Sequence, residues 1–78
     1  MSSNQTAPFA KYVVQVMHTS RIGVYRVRIH DMVSESPRLV ADSNAYDVDA
    51  FAESYGVTIL RETGAYDGVG LMYRGCRS

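Results

Sequence analysis

The sequence predicts a small α+β domain in which an antiparallel sheet of four to five strands carries one short helix on one face. Its 78 residues suffice for a single hydrophobic core and leave no room for a second. Two pairs of β-rich segments are each separated by a short turn, and one segment alone repeats apolar residues at helical spacing. The expected order of elements is β-β-β-α-β-β.

The first two strands are expected to form a hairpin. The segment 12–17 is β-branched and aromatic, and the segment 23–30 alternates between apolar and charged residues. Residues 19–22 between them are few enough for a hairpin loop. Since side chains alternate along a strand, Tyr25, Val27 and Ile29 should face the core, with Arg26 and Arg28 on the other side.

A third strand and the helix follow. Residues 38–41 are expected to form a short strand after the turn at 34–37. The segment 43–47 contains residue types that favour the start of a helix. The apolar spacing of Val48, Phe51, Ala52 and Tyr55 predicts two to three helical turns. Gly56 then stands where a left-handed residue ends a helix.

The last third of the chain predicts a second hairpin. Residues 57–61 form one strand, residues 64–68 a turn with an Asp-Gly signal, and residues 69–74 the returning strand. One helix cannot cover five strands, so part of the sheet should remain exposed. Residues 1–8 are expected to be a flexible N-terminus, and residues 9–78 a single domain.

The composition excludes several classes of protein. A hydrophobic fraction of 46% and six tyrosines are typical of a folded domain. Cys76 is the only cysteine, so no internal disulfide can form, which favours a reducing compartment and a cytoplasmic location. The sequence shows neither a membrane span nor a signal peptide, and we expect no membrane association.

The charges are segregated along a chain whose formal net charge is zero. All eight acids lie within residues 31–67, together with only two arginines, whereas the flanking segments carry six bases and no acid. An acidic patch that binds a partner with a basic surface is therefore one interpretation. Its candidate residues are Asp42, Asp47, Asp49, Glu53, Glu62 and Asp67. The simpler alternative is that the helix acids serve the helix dipole and cap.

Arg26, Arg28 and His30 form a cationic row on the second strand, which suits phosphate contacts in a nucleic-acid-binding sheet. The strand lacks the interleaved aromatic residues on which single-stranded bases stack, so a plain solvated face explains the row more simply. Direct nucleic-acid binding is therefore the less favoured alternative.

No catalytic residues or metal ligands are expected. Cys76 close to the C-terminus could pair with His18 or His30 only if the fold held a base within hydrogen-bond distance of the thiol. The two histidines and the cysteine match no metal-ligand spacing. We expect a protein without enzymatic activity, cofactor or metal.

Tyrosine and methionine are enriched at protein interfaces, so the candidates for interface residues are Tyr46, Tyr55, Tyr66, Tyr73 and Met72. Tyr55 and Tyr73 are expected in the core. Tyr46 and Tyr66 are the candidates for exposed interface residues, and Tyr66 stands beside the Asp-Gly turn.

The acidic helix within residues 46–56, followed by a hairpin over 57–74, resembles small phage-encoded anti-CRISPR proteins in size and layout. The resemblance implies stoichiometric inhibition, in which an acidic face occupies the DNA- or PAM-binding surface of a Cas effector complex such as Cascade. It implies action in the host cell cytoplasm. Two alternatives remain: a small nucleic-acid-binding or regulatory protein that uses the cationic row, and an oligomeric structural or virion component, such as a homodimer, joined by sheet edges and tyrosines.

Overall fold

The structure, a computed structural model, describes residues 11–32, 37–66, 68 and 70–77. It confirms the expected α+β fold and the β-β-β-α-β-β order. The predicted flexible segment 1–8 lies outside the described residues. The elements in chain order are β1 (Tyr12–His18), β2 (Tyr25–Asp31), β3 (Arg38–Ala45), α1 (Val48–Glu53), β4 (Val57–Tyr66) and β5 (Leu71–Arg77).

The five strands form one antiparallel sheet in the order β3-β2-β1-β5-β4. Both predicted hairpins, β1 with β2 and β4 with β5, are present. The β1 strand lies at the centre, and β3 and β4 form the edges. In the described part of the chain, no helix is long and apolar enough to cross a membrane.

The loop between β1 and β2 is held by the hydroxyl of Thr19. This hydroxyl donates to the Val24 carbonyl at 2.7 Å and accepts from the Arg21 amide at 3.1 Å. Gly23 takes a positive φ of 82°, which a residue with a side chain adopts only at a cost. The short loop predicted at residues 19–22 therefore turns the chain as expected.

The core lies between the helix and one face of the sheet. Val27 and Ile29 of β2, Val14 of β1 and Val57 of β4 are fully buried there, and Ala52 of the helix packs against them. The alternation predicted for β2 is confirmed, because its arginines point to the opposite side. We call the sheet side that bears the core the helix face, and the side that bears Arg26 and Arg28 the outer face.

The third strand is longer than predicted. Residues 43–45, which were expected to start the helix, continue β3 because they pair with β2, with Ser43 opposite Val27 and Ala45 opposite Tyr25. The ladder with β2 outweighs the local preference of these residues for a helix start. Asp47 is the N-cap instead, and the helix begins at Val48.

The helix is shorter than predicted, which overturns the expectation that Tyr55 is a core residue. It ends at Glu53, and the amides of Tyr55 and Gly56 donate to carbonyls three residues earlier, as in a tightened last turn. Tyr55 is 48% exposed, and its ring lies 5.2 Å from that of Phe51. The prediction for Gly56 is confirmed by its φ of 77°.

The second hairpin also differs from its prediction. Residues 64–66, expected in the turn, belong to β4, because the pairing with β5 slips between Leu60 and Ala65. Between these two pairings β4 advances by five residues, from Leu60 to Ala65, whereas β5 advances by only two, from Arg74 to Met72. The Thr63 hydroxyl lies at the slip, where it donates to the Leu60 carbonyl and accepts from the Arg74 amide, both at 2.7 Å. The three extra residues place Tyr66 opposite Leu71, where the regular register would have placed Thr63.

Candidate functional site

The helix covers only part of the helix face, and an open groove of about 760 Å³ lies on this face beside the start of the helix. The floor of this groove is a continuation of the core face. Its side chains are cross-strand neighbours in the ladders of β2, β1 and β5, namely Tyr25 beside His18, and Val16 beside Leu71, with Tyr73 next along β5. A six-residue helix is only about 9 Å long, so it cannot close over strands of seven to ten residues.

Four tyrosines line this space, and we refer to it as the tyrosine groove, defined by Tyr25, Tyr46, Tyr66 and Tyr73. Tyr25 and Tyr73 are half-buried in its floor and pack against the core. Tyr46, before the helix, and Tyr66, at the end of β4, are 72% and 74% exposed. The predicted exposure of Tyr66 is therefore confirmed, and Tyr46 is exposed as well. Tyr73, expected in the core, is half-buried and packs against it.

Arg61 joins the helix to the wall of the tyrosine groove. Its Nη2 atom donates to Oδ2 of Asp49 at 2.7 Å, and its guanidinium carbon lies 5.1 Å from the centre of the Tyr73 ring. The hydrogen bond from Arg61 to Asp49 is the main cause that raises the pKa of Arg61 above its ordinary value. The guanidinium is therefore held charged between a carboxylate and an aromatic face.

Gly64 permits the close approach of β4 to this wall. A Cβ atom at Gly64 would lie 3.0 Å from Cδ1 of Tyr73 and closer still to Cε1. Any side chain there would force the Tyr73 ring to shift from this position. The absence of a side chain at Gly64 thus leaves room for the Tyr73 ring in the groove floor.

The acids of the helix lie beside the groove. Asp47 accepts a hydrogen bond from the Ala50 amide at 3.1 Å as the N-cap, and Asp47 and Asp49 both line the groove. Glu53 is exposed at the other end of the helix, and Glu62 is exposed on β4. Asp47 thus has the capping role predicted for the helix acids. The side chains of Asp47 and Asp49 nevertheless remain exposed.

Asp42, by contrast, is separated from the other predicted acids. It lies on the outer face, opposite Arg28 in the pairing of β2 with β3. The Nε of Arg26 donates to its Oδ1 at 2.6 Å, and Nη2 of Arg26 and Nε of Arg28 donate to its Oδ2 at 3.0 and 3.2 Å. The expected acidic face is therefore divided between the two sides of the sheet, and Asp67 lies outside the described residues.

These contacts also set the ionisation of Asp42. The hydrogen bond from Arg26 is the largest influence and lowers the pKa of Asp42, aided by the charges of both arginines and opposed by partial burial. The same hydrogen bond raises the pKa of Arg26. Asp42 is therefore an internal counterion for the predicted cationic row rather than a free acid.

The cationic row does share one side of β2 as predicted, since Arg26, Arg28 and His30 alternate with buried residues. Its first two members have their charge partly neutralised by Asp42. Within the described strands, the positions that share the outer face with them carry neither Phe nor Tyr. The described strands therefore offer no aromatic stacking platform on the outer face of the kind that a single-strand reader uses.

Cys76 lies within β5, so the sheet holds it in place despite its position near the C-terminus. It pairs with Thr58 and faces outward. His30 lies two strands away, roughly 10 Å at the usual strand spacing, and His18 lies on the helix face. Among the described residues no three His, Cys, Asp or Glu side chains form a group that could hold a metal ion.

The sequence gives only part of the tyrosine groove. The sequence does predict an uncovered part of the sheet, because one short helix cannot cover five strands. It does not predict which residues line it: Tyr25 was expected in the core, and Arg61 belongs to no recognisable motif. The slip in β4 places Tyr66 opposite Leu71 at the groove, and no local pattern in the sequence predicts it.

No family model matches this sequence, and no curated protein or solved structure shows significant similarity to it. Function is therefore inferred from the tyrosine groove and the charges around it.

Proposed function

We propose that this protein is a non-enzymatic inhibitor that binds a basic surface of another protein through the tyrosine groove and the helix acids. The observation that carries the proposal is the open end of the helix face, where four tyrosines line about 760 Å³ beside the carboxylates of Asp47 and Asp49. The binding step needs no covalent chemistry.

Tyrosines suit such a surface because they bury a large area with few rotatable bonds and carry a hydroxyl for hydrogen bonding. Tyr46 and Tyr66 are the most exposed of the groove tyrosines. Their rings can become buried against a partner without any change in the core. This is the behaviour of residues that dominate binding energy at protein interfaces.

The helix acids determine which partners are attracted. Asp47, Asp49 and Glu53 are all exposed, and Arg61 compensates one of them. The remaining negative charge favours encounter with a basic surface and disfavours an acidic one. It also disfavours direct contact of this side with nucleic acid.

A Cas effector complex presents such a basic surface where it binds target DNA and the PAM. The resemblance to anti-CRISPR proteins in size and layout supports this choice of partner. The inhibitor would occupy that surface in the host cytoplasm and exclude DNA with one protein bound for each site blocked.

The test measures binding of target DNA by a purified Cas effector complex in a mobility-shift assay, with and without this protein. We expect the wild-type chain to reduce the DNA-bound fraction at stoichiometric amounts. The variant D47N/E53Q should lose this effect, since asparagine keeps the N-cap while the charge is removed. The matched control D42N removes a carboxylate from the outer face and should inhibit like the wild type.

A second measurement separates the proposal from nucleic-acid binding. Labelled duplex and single-stranded oligonucleotides are titrated with the protein between about 50 and 200 mM salt, where phosphate contacts weaken steeply. We expect no binding at either salt concentration. Salt-sensitive binding that disappears in R26Q/R28Q would overturn the proposal and assign the activity to the outer face. Unchanged inhibition by D47N/E53Q would overturn it as well.

A further inference from the structure

We propose that the tyrosine groove binds an arginine side chain of the partner, stacked on tyrosine rings and paired with a groove carboxylate. The inference rests on the proposed function and specifies which group of a basic partner enters the site. It is drawn from the way in which the groove already holds one guanidinium of this chain.

That guanidinium belongs to Arg61. It lies over the Tyr73 ring, with 5.1 Å from its central carbon to the ring centre, and it donates to Asp49 at 2.7 Å. An aromatic face and a carboxylate thus bind a planar cation together, which is the combination that guanidinium groups prefer in proteins. Arg61 shows the binding mode on one wall of the groove.

The same components are present on the remaining walls. Tyr25, Tyr46 and Tyr66 line the groove, and Asp47 contributes a second carboxylate there. The rings of Tyr46 and Tyr66 are mostly exposed, so an incoming side chain can reach them. The Asp47 side chain accepts one hydrogen bond, from Ala50, which leaves further acceptor positions on its two oxygens.

Charge selects a cation as the occupant. With His18 counted as neutral, the described residues of the groove lining carry two carboxylates, Asp47 and Asp49, and one guanidinium, that of Arg61. An anionic side chain would meet a net negative lining, whereas a second guanidinium restores neutrality. The planar shape of arginine also stacks on a ring, which the compact ammonium of lysine does less well.

The size of the groove agrees with this occupant. About 760 Å³ lies within the range of 300–1,000 Å³ found for binding pockets of small ligands. It exceeds what one arginine side chain needs, so the groove has room for the flanking backbone of the partner as well. The expected ligand is therefore an exposed arginine on a loop or an extended segment.

The experiment titrates the full-length, ¹⁵N-labelled protein with three blocked tripeptides and follows amide chemical shifts. The probes are acetyl-Gly-Arg-Gly-amide, its citrulline counterpart, which is neutral and of similar shape, and acetyl-Gly-Glu-Gly-amide. We expect the arginine peptide to shift groove amides with a Kd on the order of a millimolar. The citrulline peptide should bind about five-fold more weakly, and the glutamate peptide not at all.

Three variants locate the contact. Tyr46→Ala and Asp47→Asn should weaken the arginine peptide to the level of citrulline. Tyr55→Ala should leave its affinity unchanged, because Tyr55 is an exposed tyrosine that does not line the groove. Equal binding of the arginine and citrulline peptides, or shifts confined to the outer face, would overturn the inference.

The outcomes also separate this inference from the proposed function. If D47N/E53Q abolishes inhibition of the Cas complex while the arginine peptide does not enter the groove, the inference fails and the proposed function stands. If the peptide binds as expected but no inhibition occurs, the arginine site stands and the proposed partner is wrong.

Discussion

Arg61 and Asp49 form an ion pair that connects the edge strand β4 to the first turn of the helix, with 2.7 Å between Nη2 and Oδ2. Both side chains are 53% exposed. The pair fixes one wall of the tyrosine groove because the same guanidinium lies over Tyr73.

We expect the Asp49–Arg61 pair to contribute little to stability. An exposed pair of this kind is worth roughly 0.2–1 kcal/mol, because water screens the attraction and two side chains lose freedom. A double-mutant cycle with Asp49→Ala and Arg61→Ala, measured by urea unfolding, should give a coupling energy in that range and a smaller value in high salt. A coupling well above about 1 kcal/mol would show that the pair is shielded from water in solution.

The ion pairs of Asp42 should make stability depend on pH in the acidic range. A depressed folded-state pKa contributes stability that is fully present above the unfolded value of about 3.9 and is lost as the pH falls through the lower folded value. Urea midpoints of the wild type and of Asp42→Asn should therefore differ by a constant amount above about pH 5 and converge at lower pH. The variant R26Q/R28Q removes the partners and should converge with the wild type in the same way. Parallel curves across this range would contradict the assignment.

Two substitutions at Asp47 should differ in their effect on stability if its side chain caps the helix. Asp47→Ala removes the acceptor for the Ala50 amide and should lower the free energy of unfolding by about 1 kcal/mol. Asp47→Asn keeps an acceptor and should lie within a few tenths of a kcal/mol of the wild type. Equal losses for the two variants would mean that charge, rather than the cap, stabilises the helix start.

A side chain at Gly75 should be destabilising unless space is made for it. A Cβ atom there would lie 2.7 Å from Cγ1 of Val57, which is fully buried and cannot move aside. Gly75→Ala should cost roughly 1–3 kcal/mol through overpacking. Combining it with Val57→Ala should cost less than the sum of the two single changes, because each relieves the other. Simple additivity of the two losses in urea unfolding would contradict this packing.

The sequence by itself determined the kinds of elements and their order. The alternation of Val27 and Ile29 with Arg26 and Arg28 set the two sides of the sheet, and the helical spacing of Val48, Phe51 and Ala52 set the one helix. These patterns are local and depend on which side chains must leave water, so they can be read without knowing the fold.

Only the tertiary structure decided the boundaries and the site. Pairing with β2 drew Ser43 and its neighbours into β3 and left Asp47 as the N-cap of the helix. The slip in β4 placed Tyr66 opposite Leu71, and the pairing of β2 with β3 placed Asp42 away from the helix acids. Each of these outcomes depends on hydrogen bonding between segments distant in sequence. The tyrosine groove therefore forms only when the sheet assembles and leaves part of its helix face uncovered.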